Sequence, residues 1–164
     1  MTSSDTGQRF LSQACHHLND DYLPKVRRCL EILSREDIWW RAHENTNSIG
    51  NLVLHLCGNV RQWIVSGLGG EEDRRRRPAE FSRRMPLPKD QLLELLETTV
   101  QEATQVLESL TEADLATTRR IQVYDVTGLQ AVLHVVEHFA YHTGQIIYIT
   151  RLRKNVDLKF YDLP

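Results

Sequence analysis

Several features that mark other protein classes are scarce in this chain. Glycine and proline together account for only 13 of 164 residues, fewer than in average proteins, so long helices are favoured over many short strands. The three cysteines, Cys15, Cys29 and Cys57, are an odd number without a CxxC pair. This pattern favours reduced core thiols over a disulfide framework or a zinc knuckle.

An excess of charge of one sign is also lacking. The chain has 20 basic and 22 acidic residues, a net charge of −2, so no global field concentrates it on DNA or on an anionic membrane. The only basic run, Arg74–Arg77 with Arg83 and Arg84, is interpreted as a solvated loop, and contact with an acidic substrate is the alternative. We expect no nucleic-acid partner.

A membrane span and a secretory signal are missing from the pattern as well. The first residues have neither the basic segment nor the apolar run of a signal peptide. The uncharged stretch 46–60 is shorter than the roughly 20 residues of a spanning helix. We therefore expect a cytoplasmic protein without a membrane partner. The length predicts one domain over residues 1–164.

What the sequence does contain is helical periodicity. Apolar residues recur at three- and four-residue steps in four segments, 8–36, 47–67, 88–110 and 127–153. Pro24 interrupts the first segment and predicts a kink or two shorter helices. The last segment is apolar on nearly all sides, so its polar residues are expected to point into the protein. The prediction is an all-α four-helix bundle.

The connections refine this bundle. The connection between the second and third helices, about 69–87, is long enough for a crossover, so the third helix is expected to run parallel to the second. The segment 119–124 is expected to be a short extended piece that lies on the bundle.

Histidines give the strongest chemical signal. His134, His138 and His142 are spaced four residues apart, so their imidazoles share one helix face and an adjacent pair can bind one metal ion. A further ligand must come from another helix, and the candidate is His55, within a polar stripe of the second helix. The alternative is a set of hydrogen-bonded core or surface histidines. Stacked imidazolium charges would repel one another, and buried ring nitrogens would each need a hydrogen-bond partner. Neutral imidazoles that bind one metal ion avoid both costs.

Two motifs resemble those of the DinB/YfiT-like superfamily. They are NSIGNLVLHLCGN at 47–59 and HVVEHFAYHTGQ at 134–145. The resemblance extends through the order of the segments and the connection from Gly69 to Glu80, and so covers most of the chain. It implies a four-helix bundle with a three-histidine divalent metal site, whose ligands here are His55, His138 and His142. The usual HRGQ ending has Thr143 in place of arginine, so no role is carried over for that side chain.

Other polar residues near these histidines are candidates for contact with substrate or for orienting a ligand. His134, Asn51 and Gln145 are placed in this group, and Asn59 and Gln62 are weaker candidates. The alternative is that they only satisfy polar groups within the bundle. His43 is not expected to bind the ion. Cys57 is two residues from His55 and therefore on another helix face.

The resemblance also implies a function. Characterised branches of the superfamily are metal-dependent transferases or isomerases that use low-molecular-weight thiols such as bacillithiol, mycothiol or glutathione. We therefore expect a thiol S-transferase acting on a small-molecule electrophile. The alternatives are a metal-dependent hydrolase, with His134 or Glu137 as general base, and a non-catalytic metal-binding stress protein.

Imidazole ligands do not select one metal. They suit zinc, nickel, iron and copper alike, and zinc or nickel is expected. Many relatives are homodimers, so the resemblance also implies a homodimer.

Overall fold

The computed structural model describes residues 3–83 and 86–160, with the side chains described from residue 6 onward. Arg84, a member of the predicted basic run, therefore lies outside the described residues. The elements follow the chain in the order given below and form a helical bundle with one small hairpin.

The first long helix changes its winding once. It consists of α1 (Ser3–His16), a π-helical segment (His17–Tyr22) and α2 (Leu23–Ile32). Pro24 lies in the first turn of α2, where its missing N–H is best tolerated. The interruption predicted at Pro24 is therefore a π-helical widening just before the proline, not a break between two helices.

The second long helix is preceded by a short one, α3 (Arg35–Trp39). It consists of α4 (Ile49–Val60) and a second π-helical segment (Arg61–Ser66). Ser48 begins α4 as a capping box: its hydroxyl accepts from the backbone N–H of Asn51, whose side chain in turn accepts from the backbone N–H of Ser48. This reciprocal pairing satisfies two donors that the first helical turn leaves free.

The connection after this helix contains a helix that periodicity did not predict. It is α5 (Arg77–Ser82), which packs against α4. The third long helix, α6 (Lys89–Ser109), follows at the expected place, with Pro88 as its N-cap.

The last part of the chain begins with α7 (Glu112–Ala116). An antiparallel hairpin follows, in which β1 (Thr118–Ile121) pairs with β2 (Tyr124–Thr127). The predicted extended segment 119–124 covers most of β1, the turn and the first residue of β2. The fourth long helix, α8 (Gly128–Lys154), begins with the predicted capping box of Thr127 and Gln130.

The core lies between the four long helices, and α4 packs against both α6 and α8. Each long helix contributes fully buried apolar side chains, among them Leu30, Leu56, Leu96 and Phe139. The predicted all-α four-helix bundle is confirmed. Within residues 3–83 and 86–160, no helix combines the length and apolar character needed to cross a bilayer.

One expectation about α8 is wrong. Its apolar residues were expected to be buried on nearly all sides, but five large ones are exposed, namely Leu129, Leu133, Tyr141, Tyr148 and Leu152. The helix is therefore buried along one side only, and an apolar strip faces outward. This strip is called the α8 outer face below.

Candidate metal centre

His55 lies in the middle of α4 and is buried, with 6% of its surface exposed. The helix begins at Ser48, so His55 lies about two turns inside it, where the backbone is held on both sides by helical hydrogen bonds. Its ring contacts Phe81 of α5, with centroids 4.7 Å apart. The imidazole is thus fixed between α4 and α5.

His138 and His142 lie one turn apart on α8, and both are half-buried. Their rings meet edge to face, with centroids 4.5 Å apart. The ring of His55 meets each of them in a similar way, at centroid distances of 4.8 and 5.0 Å. The three imidazoles therefore point their edges at a common region between α4 and α8.

The ring nitrogens converge in this region. His138 Nε2 lies 3.0 Å from His55 Nε2 and 3.2 Å from His142 Nε2. Nitrogens bound to one tetrahedral zinc ion at 2.0–2.1 Å would lie about 3.3 Å apart. The spacing and the donor set fit one divalent ion, and the His55, His138 and His142 group can hold it.

The other ring nitrogens of two of these histidines have partners that favour this arrangement. His55 Nδ1 donates to Glu80 Oε2 at 2.8 Å, and His142 Nδ1 donates to Gln145 Oε1 at 2.7 Å. Protonation on Nδ1 leaves the Nε2 lone pair available to a metal. His138 Nδ1 is buried and has no hydrogen-bond partner in the described part of the chain.

Burial favours the neutral form of the imidazoles on α8. Together with the nearby His142, His55 and His134, it lowers the pKa of His138 to about 3. Burial also lowers the pKa of His142, although its hydrogen bond to Gln145 acts in the opposite direction. Neutral imidazole is the form that binds a metal ion.

Glu80 is the residue at this site that sequence reasoning missed. Its carboxylate receives the hydrogen bond of His55 and is buried, with 8% of the residue exposed. Burial by itself would raise the pKa of Glu80, but the contacts with His55 and Arg75 outweigh it and hold that pKa below its usual range. A carboxylate on the far nitrogen of a metal-binding histidine fixes the ring and increases its basicity.

Arg75 is buried, although the basic run that contains it is predicted to be a solvated loop. Its guanidinium donates from Nε to Glu80 Oε1 at 2.7 Å and from Nη2 to Glu80 Oε2 at 3.0 Å, and its side chain is only 5% exposed. Its Nη1 donates to Gln62 Oε1 at 2.8 Å. Arg74, by contrast, is exposed and pairs with Glu72. The prediction is therefore wrong for Arg75, because this arginine neutralises a buried carboxylate.

Gly58 makes room for this pair. It lies on α4 less than one turn after His55, and a Cβ at this position would collide with Glu80 Oε1 and lie 2.9 Å from Arg75 Nε. Only glycine lets the carboxylate approach the helix surface this closely. Local helix propensity alone gives no reason for a glycine here.

His134 lies one turn before His138 but outside the converging group. Its Nε2 lies 3.2 Å from Asn59 Nδ2, and its ring contacts that of Trp63 at a centroid distance of 4.1 Å. Burial lowers the pKa of His134. Asn59 Oδ1 and Trp63 Nε1 are buried without a hydrogen-bond partner in the described residues.

The structure places the other predicted residues in different settings. Gln145 contacts the Nδ1 of His142, as expected of a residue that orients a ligand. Asn51 is fully buried, and its side chain caps α4 and donates to the backbone oxygen of Glu80 at 2.7 Å. Asn51 thus bears on the site through the backbone of Glu80 and not through the histidine nitrogens.

Cys57 lies outside the group of converging side chains. Burial raises the pKa of its thiol to about 12, so it stays protonated at neutral pH and is a poor metal ligand. His43 is likewise no member of the group.

Solved structures with the same fold support this description. A DinB-like protein from Bacillus subtilis aligns with a TM-score of 0.68 at 21% identity, over 93% of this chain and 99% of that one. A DinB-like protein from Bacillus cereus aligns with a TM-score of 0.67 at 16% identity, over 88% and 90% of the two chains. A conserved protein from Enterococcus faecalis aligns with a TM-score of 0.68 at 16% identity, over 93% and 97%. At these identities the likeness shows the fold.

No protein with a curated description matches this sequence. One family model does, over residues 5–164, and its description is "Protein of unknown function (DUF1572)". This match and the DinB-like structures confirm the resemblance noted in the sequence. The chain belongs to the DUF1572 family, and it has the fold of the DinB-like structures.

Proposed function

We propose that His55, His138 and His142 bind one divalent cation through their Nε2 atoms. The observation that carries this proposal is the convergence of these nitrogens at 3.0 and 3.2 Å, while Glu80 and Gln145 occupy the opposite nitrogens of two of the rings. Zinc or nickel is the proposed ion, with iron and copper as the alternatives that imidazole ligands also accept.

We propose further that the protein is a metal-dependent S-transferase that joins a low-molecular-weight thiol to a small electrophile. An ion held by three neutral imidazoles keeps an open coordination position and its full charge, and it would supply deprotonation of the cofactor thiol. Bacillithiol, mycothiol and glutathione are the candidate thiols. His138 and His142 are half-buried and not sealed in the core.

The local carboxylates favour this reaction over hydrolysis. A metal-dependent hydrolase needs a general base beside the attacking water. Glu80 is already paired with Arg75 and His55, and Glu137 is exposed. The remaining base is His134, which contacts the Asn59 amide. Thiol transfer does not need such a base, so the hydrolase is the second candidate and a non-catalytic metal-binding protein is the third.

Three further residues are proposed to act around the ion. His134 lies beside the site, with its ring centroid 5.6 Å from that of His138, and is proposed to contact the electrophile. Gln145 is proposed to orient His142. Asn51 is proposed to hold the backbone of Glu80 in place, a positioning role and not a contact with substrate.

The test is a conjugation assay on the zinc- and nickel-loaded protein. Each of bacillithiol, mycothiol and glutathione is offered with chlorodinitrobenzene, and loss of thiol is followed with time. The proposal predicts metal-dependent conjugation with at least one thiol, abolished by His138→Ala. If the metal-loaded protein consumes none of the three thiols, the transferase assignment fails and the hydrolase and non-catalytic alternatives remain.

A second variant separates binding of the ion from contact with the electrophile. His134→Ala is expected to change zinc affinity by less than about twofold and to lower the conjugation rate roughly tenfold or more, because its ring touches no converging nitrogen. A variant that loses zinc as severely as His138→Ala would make His134 a ligand. A variant unchanged in both properties would return it to a structural role.

We also propose that the protein works in the cytoplasm as a homodimer on a small-molecule substrate. The α8 outer face supports the dimer, because exposed apolar side chains on one side of a helix favour association. Sedimentation analysis of the native protein should give twice the mass of the 19.1 kDa chain. A mass of one chain at micromolar concentration would contradict it.

A further inference from the structure

A cavity of about 450 Å³ lies beside α8, between this helix, the end of the first π-helical segment and the chain that follows α8. Its helical wall includes Ala140, Gly144, Ile147 and Arg151. In a helix each residue turns the chain by about 100°, so Gly144 points roughly 200° away from His142. The cavity therefore lies on the side of α8 opposite the metal centre and is independent of the function proposed there.

Two features of α8 distinguish this cavity, namely free space over Gly144 and an unpartnered hydroxyl on the lining residue Thr143. A Cβ on Gly144 would meet no heavy atom within 4 Å, so the missing side chain leaves free space. Thr143, which also lines the cavity, is 3% exposed, and its hydroxyl has no hydrogen-bond partner in the described part of the chain. A buried hydroxyl without a partner costs free energy, and a polar atom of a ligand would remove that cost.

The rim of the cavity is cationic. Lys25, Arg151 and Lys159 line it, and Asp157 is the single carboxylate among the described lining residues. Asp157 Oδ1 already accepts a hydrogen bond from the backbone N–H of Lys159 at 3.1 Å. Among the described lining residues, cations therefore outnumber carboxylates, although the whole chain carries −2. Such a rim attracts an anion, and an arginine fork matches a carboxylate in shape.

The walls between these cations are apolar. Ala140, Ile147, Leu158 and Phe160 contribute carbon surface, and the ring of Tyr22 lies among them. Pockets of this volume take small organic molecules whose apolar part fills the cavity while a few polar groups fix the orientation. An inorganic anion would leave this carbon surface exposed to water.

We propose that this cavity binds a small amphipathic carboxylate. The carboxylate lies at the rim with Arg151 and Lys159, and an aliphatic or aromatic body fills the space over Gly144. The Thr143 hydroxyl donates to a polar atom of the ligand. Nothing in this arrangement uses the histidines, so the site binds with or without metal.

The test compares octanoate with its uncharged analogue octanamide by isothermal titration calorimetry on the full chain. The chain is used first after chelator treatment and then loaded with zinc, because carboxylates also bind zinc directly. The proposal predicts that octanoate binds roughly tenfold tighter than octanamide or better, with the same affinity in both preparations. Equal affinities for the two compounds, binding only to the zinc-loaded protein, or no binding would each overturn it.

Two variants locate the binding. Gly144→Leu fills free space and removes a helix-interior glycine, so it is expected to fold and to lose octanoate affinity at least about tenfold. Arg151→Gln is expected to weaken octanoate several-fold without affecting octanamide. The matched control is Arg120→Gln, at an exposed arginine of the hairpin, which should leave both affinities unchanged. A folded Gly144→Leu or Arg151→Gln protein with native octanoate affinity would contradict the site.

Discussion

Two buried carboxylates of this protein have similar surroundings and different consequences. Asp37, near the end of α8, accepts from Arg153 at 2.8 Å and from Lys154 at 2.6 Å. Glu80, in α5, accepts from Arg75 and from His55. Each carboxylate is under a tenth exposed. The difference lies in the second partner, a permanent cation in one cluster and an imidazole in the other.

The two clusters therefore have different roles. The Asp37 cluster connects parts of the fold, and the Glu80 cluster acts on the candidate metal site. Asp37 pairs with two cations, and these contacts connect α3 to the last turn of α8. The Glu80 cluster continues through the ring of His55 to the converging Nε2 atoms. A substitution of Asp37 should therefore change only the free energy of unfolding, whereas a substitution of Glu80 should also change metal affinity.

The largest effect is expected from removal of a ligand. His138→Ala should weaken zinc binding by more than about a hundredfold, because it removes the central nitrogen of the three. The measurement is a competition titration against a chromogenic chelator. The matched control is His16→Ala, at an exposed helical histidine that pairs with Asp20, and it should bind zinc normally. Full zinc retention by His138→Ala would contradict the site.

Glu80→Gln should have the next largest effect. The amide no longer holds the charge that fixes His55, so zinc affinity should fall about 10–100-fold. The neighbouring Arg75 would then lack its buried counter-charge, so a loss of stability is expected as well. The control is the equivalent acid-to-amide change at Asp37, which should leave zinc affinity unchanged. Equal zinc affinities for the two variants would remove the distinction between the clusters.

Gly58→Ala also tests whether the contact between Glu80 and His55 supports zinc binding, and it replaces no polar side chain. Its Cβ would displace the Glu80 carboxylate, so zinc affinity should fall by roughly tenfold. Gly144→Ala is the control, because its Cβ meets open space; this variant should keep zinc affinity and gain about 0.5–1 kcal/mol of stability. Native zinc affinity in Gly58→Ala would show that the Glu80 contact is dispensable.

Asp37→Asn is expected to have the smallest effect and to change only the free energy of unfolding. The hydrogen bond with Lys154, together with those from Ser34 and Arg153, holds the pKa of Asp37 well below its usual range. A carboxyl whose pKa is lower in the folded state stabilises the fold above the unfolded pKa of about 3.9, and that contribution is lost as the pH falls further. The variant should thus be about 1–2 kcal/mol less stable at pH 7.

Urea unfolding at several pH values checks this expectation. The stability difference between native protein and Asp37→Asn should be constant from pH 7 to about pH 5 and should shrink below about pH 4. A difference that persists unchanged at low pH would show that the carboxylate charge is not what matters.

Periodic features of this molecule were predictable from the sequence, and those that depend on long-range contact were not. The spacing of His134, His138 and His142 places them on one face of α8 whatever the rest of the chain does. The stripe that contains His55 follows from the same periodicity. The bundle brings the α4 and α8 faces together because both helices also carry apolar residues that must pack.

Arg75 and Glu80 show where this reasoning ends. Arg75 lies in a run of four arginines, and nothing in the local sequence separates it from the exposed Arg74. Its burial depends on Gly58 and Glu80, which reach it from other elements. The π-helical segment before Pro24 was missed for a similar reason: the proline predicts a local disturbance, but packing decides its form.

X-ray absorption at the zinc edge of the zinc-loaded chain tests the central claim most directly. The account predicts one zinc per chain with three imidazole nitrogens at about 2.0–2.1 Å, one light non-histidine atom, and no sulfur until a thiol is added. His138→Ala should abolish this spectrum at equal zinc concentration. Fewer than three imidazoles, or a sulfur ligand from Cys57 in the absence of added thiol, would contradict it.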